Sequence, residues 1–171
     1  MALTPRVLGI DPSISQTGIC YPDGIFKICR GDAALGDLRL AMIYEDVDFA
    51  CLSYKPQLAV IEDLPTHAHG AGITGMVQGV VRLALQQHGV PYVKVVPSTL
   101  KKYATGNGRA DKSDLRMELF KRTAIDERND NLVDAWWLRH MGLDHLGHAP
   151  VDLPAAQRAS LKVPTWPEEL P

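Results

Sequence analysis

Cysteine is scarce in this chain: Cys20, Cys29 and Cys51 are the only three among 171 residues, and no two form a CxxC pair. A disulfide scaffold would leave one thiol over and a zinc framework has no ligand pattern, so both are excluded, and idle thiols in a reducing compartment are expected. Long apolar runs are missing too. Nothing approaches the about 20 consecutive residues of a membrane-spanning helix, and the opening MALTPRVLGID has no apolar segment ahead of its charges. A soluble, cytoplasmic protein with no membrane contact is expected. Charge of one sign is not in excess either: 18 Lys plus Arg against 20 Asp plus Glu leave a formal charge of -2. That excludes a globally basic coat protein, so any polyanion must be gripped by a local patch. Internal repeats and low-complexity blocks are absent.

What is present suits one domain, which at this length buries roughly 70% of its unfolded surface. RVLGID at 6–11 is a short Val/Leu/Ile run that delivers Asp11 to the end of a buried strand. TGICY and IFKIC, split by the PDG turn, carry a hairpin signature, so three antiparallel strands open the chain. Helical spacing of Leu35, Leu38, Ala41, Met42, Val47, Ala50 and Cys51 runs up to Pro56. LAVIED then reads as a second core strand, Met76 to Leu85 as a helix closed by Gly89, and VPYVKVV as a third core strand. Pro97 opens a short helix through Tyr103. After the loop TGNGRADKS, Asp111 or Ser113 caps a helix through LRMELFKR, and a last helix follows Asn129. Parallel strands need crossover helices. The expected architecture is therefore an α/β fold with a mixed five-stranded sheet, three antiparallel strands and then two parallel, with helices on both faces. The predicted organisation is a domain over 1–145 and a Pro-rich, irregular tail over 146–171.

Asp11 and Glu62 each end a buried strand, and adjoining strands would set them side by side at the sheet rim. Asp130 and Asp134, four residues apart, share one face of the last helix. Carboxylates so crowded raise one another's pKa and call for a compensating cation. All donors are oxygen, which selects Mg²⁺, with Mn²⁺ as a substitute, over zinc. Two such ions can clamp a phosphodiester, so nuclease chemistry is an expectation. Plainer readings stand beside it. A strand-end Asp is more often a turn former, Asp63 rivals Glu62, and Asp130 or Asn131 has an equal claim as a helix cap. Asp134, set in an apolar helix face ahead of AWW, is harder to dismiss, because an unpaired acid there costs several kcal/mol.

Nine of the 18 basic residues fall between Lys94 and Arg128, diluted by five acids, which by itself describes a solvated surface. The loop GNGRADKS is more specific. Its glycines let backbone N–H groups approach phosphate while Arg109 and Lys112 supply charge, although the P-loop spacing GxxxxGK[ST] is lacking. His67 and His69 read as surface polar residues, and His140, His145 and His148 as exposed positions. Gly75 and Gly79 suit close helix packing, either at a dimer interface or on the sheet. Trp136 and Trp137 are expected as one core and one flanking residue, and Trp166 as a tail anchor on the domain or a partner.

VLGIDPSISQTG, VIED, LKKYATGNGRADKS and NDNLVDAWW, in this order over residues 5–145, resemble the motifs of the RuvC Holliday-junction resolvases of the RNase H-like superfamily. The resemblance implies a homodimeric, Mg²⁺-dependent endonuclease that resolves four-way DNA junctions by paired symmetric nicks. Asp11, Glu62 and Asp134 match the family's catalytic and metal-binding acids, and Asp130 is the choice for the fourth. Lys101 and Lys112 match its basic positions, and Lys102, Arg109 and Arg116 extend the expected DNA-binding set. Two departures stand out. Asn131 occupies the position three before the last Asp, where the family carries an acid or histidine. Pro65 follows the second acid where the family often has an aromatic, which makes forks or flaps plausible substrates. A non-catalytic junction-binding module is the alternative, and the opening strand and hairpin also resemble the actin and sugar-kinase ATPases, whose second domain 171 residues leave no room for.

Overall fold

The computed structural model describes residues 4–64 and 71–170. Its sheet contains β1 (Val7–Asp11), β2 (Gln16–Cys20), β3 (Phe26–Arg30), β4 (Leu58–Glu62) and β5 (Tyr92–Val95) in the order β3-β2-β1-β4-β5. The first three strands pair antiparallel, and β4 pairs parallel with β1 and with β5. The hairpin forms at the expected turn, where Gly24 takes the left-handed φ of 87° that a side chain would resist.

Two helices, α1 (Leu38–Tyr54) and α2 (Ala71–Gln87), make the crossovers and cover one face of the sheet over Leu8, Ile10, Ala59 and Ile61. A 3₁₀ turn at Ala33–Leu35 replaces the first turn expected of α1, because the left-handed Gly36 interrupts it. On the other face Val7, Leu58 and Val60 pack under α5 (Asp130–His145), with α3 (Pro97–Thr105) and α4 (Lys112–Thr123) outside it. The alternation of side chains along β1 and β4 thus divides the core into two layers.

Both Trp136 and Trp137 are buried, contrary to the expectation of one core and one flanking ring. The reason is that α5 lies between the sheet and the α3/α4 layer and is enclosed on nearly every side. His140 is fully buried for the same reason, not exposed, whereas His145 is exposed and His148 half-buried. The tail, irregular over most of its length, carries two short helical turns and packs on the domain. Residues 155–158 form α6, a 3₁₀ turn follows at Ala159–Lys162, and Leu153, Gln157 and Ser160 are buried against the domain. The prolines mark an irregular course, and the apolar residues between them dock the tail on the domain. Trp166 stacks on His145 at 4.0 Å. The three cysteines are free and buried, and burial pushes their thiols up. Among the described residues a side chain on Gly75 would meet only Leu64, at 3.8 Å, and one on Gly79 would meet nothing within 4 Å, so neither glycine is needed for packing onto the sheet. Among the described residues no helix is long and apolar enough to cross a membrane.

Candidate active site

The parallel register pairs Ile10 with Ile61, so the next residues, Asp11 and Glu62, emerge side by side from adjoining strands on the α5 face. Their carboxyls share a hydrogen bond, which requires that one of the two hold a proton, since carboxylates only accept. Asp134 enters from above on α5. What lets it come so close is glycine: a Cβ on Gly9 would lie 2.0 Å from the Ala135 carbonyl oxygen, and one on Gly18 2.2 Å from that of Asn131. α5 therefore rides directly on bare backbone of β1 and β2. This was the feature sequence reasoning missed, although Gly9 stands within the LGID motif two residues before Asp11.

Electrostatics records the convergence. Burial pushes the Asp11 carboxyl up to about 6, the Glu62 bond partly opposing it. Glu62 is raised well above the usual range by burial and then by the charges of Asp11 and Asp134. Asp134 is pushed up to about 7 by burial and the charge of Asp11. Carboxyls raised in this way by burial and by one another's charge lack a cation. Two lysines supply part of it. Lys101 on α3 lowers Glu62 and Asp134, and Lys112 at the start of α4 lowers Asp11 and Asp134. Burial draws Lys112 down, but Asp130, Asp134 and Asp11 more than offset this and hold its ammonium above the ordinary value.

Asp130 stands at the rim, paired with Lys112 at 3.1 Å. It does not cap α5, and neither does Asn131. The cap is Asn129, whose side chain accepts from the Asn131 N–H. The Asn131 side-chain amide donates to the Gln16 carbonyl, so it is spent on β2 and turned from the acids. Asp63 is no rival to Glu62. Burial would raise it, but the Leu64 N–H, Lys94 and Gln78 hold it below the ordinary range. Pro65, His67 and His69 lie outside the described residues.

The remaining basic residues divide. Lys102 and Arg109 are exposed, and among the described residues neither is in an ion pair, whereas Arg116 is tied to Asp126 at 2.5 Å. The loop between α3 and α4 does not offer the backbone cradle its glycines suggested. Thr105, Asn107 and Asp114 side chains take the N–H groups of Asn107, Arg109 and Asp111. Asp111 forms a capping box with Asp114, which orients α4 and hence Lys112.

As a donor set, Asp11, Glu62 and Asp134 with Asp130 at the edge offer only oxygens, the preference of a hard divalent ion. Among the described residues no three His, Cys, Asp or Glu side chains close into a ready-made cage. The Glu62–Asp11 proton and the Lys112–Asp130 pair hold those oxygens instead, and both can be displaced by a cation.

Sheet order and the acidic cleft at the strand ends define an α/β protein of the RNase H-like class. The model of the crossover junction endodeoxyribonuclease RuvC family matches residues 7–135, and the chain belongs to that family. The RuvC of Gloeobacter violaceus is 33% identical over 169 residues, covering 90% of this chain and 94% of that relative. That of Streptomyces avermitilis is 27% identical over 91% of this chain and 95% of its own. The fold is also that of Thermus thermophilus RuvC, with a TM-score of 0.69 at 22% identity, over 84% of this chain and 98% of that one. The same protein in complex with Holliday junction substrate gives 0.72 at 21% identity, over 85% and 98%.

Proposed function

We propose that this chain resolves four-way DNA junctions by paired, symmetric phosphodiester hydrolysis, as a homodimer that uses Mg²⁺ or Mn²⁺. The observation that carries the reading is the cluster of Asp11, Glu62 and Asp134, each raised by burial first and then by the charge of neighbouring acids. Such a cluster is costly in the unfilled state and favourable around a cation, which membership of an endodeoxyribonuclease family supports.

Asp11, Glu62 and Asp134 would hold the ions, and Asp130, which here pairs with Lys112, would be the fourth ligand. Two ions held there would activate water and stabilise the leaving oxygen. The chain's own side chains then orient the strand. Lys101 and Lys112, already in the field of the acids, meet the phosphates next to the cut, and the exposed Lys102 and Arg109 take backbone further out. Asn131 does not count against catalysis, because its amide serves β2 and removes nothing from the cleft. A two-fold dimer matches a two-fold junction, placing one cleft at each of two opposed strands.

Incubation of the pure protein with labelled four-way junctions, forks, flaps and linear duplex, in Mg²⁺ and in EDTA, tests the reading. Symmetric nicks in junctions, dependent on the metal and lost in Asp11→Asn, are expected. Binding without cleavage in Mg²⁺ and Mn²⁺ would leave the non-catalytic module.

A further inference from the structure

Beyond the cleft the molecule holds a second buried polar cluster, and it binds the tail to the basic helices. The Asp144 carboxylate on α5 has a side chain only 1% exposed. It accepts from Arg158 of α6 through Nη2 at 2.7 Å and Nε at 3.0 Å, and from the Tyr103 hydroxyl of α3 at 2.9 Å. The Tyr103 hydroxyl also meets His140 Nδ1 at 2.7 Å. A carboxylate only accepts, so Tyr103 donates to Asp144, and His140 Nε2 closes the chain on Val151, 3.0 Å from its carbonyl oxygen and 3.3 Å from its N–H. Further ties run alongside. Gln157 donates to the Ala104 carbonyl at 3.2 Å, Arg122 of α4 donates to the Asp152 carbonyl at 3.1 Å, and Trp166 lies flat on His145.

We propose that residues 151–166 are a strap that positions the basic edge of the cleft, with Arg158 as the positioning residue that holds α3 through Asp144 and Tyr103. Tyr103 follows Lys101 and Lys102 directly in α3. A nine-residue helix has too few internal bonds to hold itself, so its placement comes from what grips it. The Asp144 carboxylate is buried while the Arg158 side chain is half-exposed, so the pair adds little stability, but its two-pronged contact fixes one geometry. Asp144 and Arg158 both lie beyond residue 135, where the family match ends. The strap thus acts on the lysines and leaves the acids, which β1, β4 and the start of α5 hold.

The inference rests on the junction-cleaving reading, and its test separates the two. Full-length Arg158→Met, Arg158→Lys and wild type are compared for four-way-junction binding in Ca²⁺ across a salt series and for single-turnover cleavage in Mg²⁺. In Arg158→Met the slope of log affinity against log salt falls by about 1 to 2, the loss of one or two phosphate contacts. The rate at saturating junction stays within roughly twofold of wild type, and Arg158→Lys restores most of the slope. If Arg158→Met does not fold by circular dichroism, Trp166→Ala, which frees the far end of the strap, is expected to move the slope in the same direction. An unchanged slope and affinity in a folded variant would overturn the proposal, as would a saturated rate lost in step with affinity. A wild type that binds junctions but never cuts them would sink the catalytic reading and leave the salt-slope test of the strap intact.

Discussion

Asp134 is the residue on which the cleft turns. It is pushed up to about 7 by burial and by Asp11, so in the metal-free protein it carries a proton that the unfolded chain sheds near pH 4. Across that window the unfolded chain binds fewer protons than the fold, and stability declines as pH rises. Asp134→Asn removes the conflict. The metal-free variant should melt higher than wild type at pH 7.5, by on the order of 1 kcal/mol, and should cut junctions slower by about 10²-fold or more. Thermal melts with EDTA and single-turnover assays check the two halves. A variant that melts lower at pH 7.5 would contradict the crowding of acids. His140 bends the profile the other way. Burial lowers it to about 4, so between there and pH 6.5 its stability contribution grows with pH. The difference between Asp134→Asn and wild type, not either profile alone, isolates the cleft.

At the level of elements, the seating of α5 on β1 and β2 sets the distance between Asp134 and Asp11. Gly9→Ala introduces a methyl 2.0 Å from the Ala135 carbonyl oxygen and 2.7 Å from the Arg139 nitrogen, both backbone atoms that cannot swing aside. The helix must lift. A loss of about 1–3 kcal/mol by denaturant unfolding is expected, together with a reduced Mg²⁺-induced rise in melting temperature. The α4 cap is a milder test. Asp111→Ala breaks the capping box with Asp114 and should cost about 1 kcal/mol, and it loosens Lys112 without touching an acid. Element positions followed the apolar periodicity closely where the element is buried along its length, as β1, β2 and β4 are. Helix starts were less legible. Asn129, Asp130 and Asn131 are chemically equivalent caps in sequence, and only the angle at which the chain enters α5 selects Asn129.

For the molecule as a whole, a divalent ion should do what protons do at low pH. Protons and metal compete for Asp11, Glu62 and Asp134, so Mg²⁺ should raise the melting temperature more at pH 7.5 than at pH 5. Differential scanning fluorimetry over both pH values checks this, and an equal shift at both would place the ion elsewhere. Salt dependence reports the basic side. Lys102→Ala and Arg109→Ala should each lower the salt slope of junction binding by about 1 while leaving the saturated rate alone. Arg116→Ala should move it less, because Asp126 already holds that guanidinium.

Periodicity, turn residues and acids at the ends of apolar runs were enough to read the mixed five-stranded sheet and to expect Asp11, Glu62 and Asp134 near one another, since burial of alternate residues and the need to compensate crowded charge are local rules written in residue type. The opposed roles of neighbours were not legible. Asp63 is neutralised by Lys94 while Glu62 shares a proton with Asp11, and Asn131 turns to Gln16 while Asp130 faces Lys112. The tail, which looked like loose proline-rich chain, is fastened by Arg158 to an aspartate fourteen residues earlier. Those assignments depend on which face of a strand or helix meets which partner across the fold, and contacts between distant stretches of chain carry no signature in the stretches themselves.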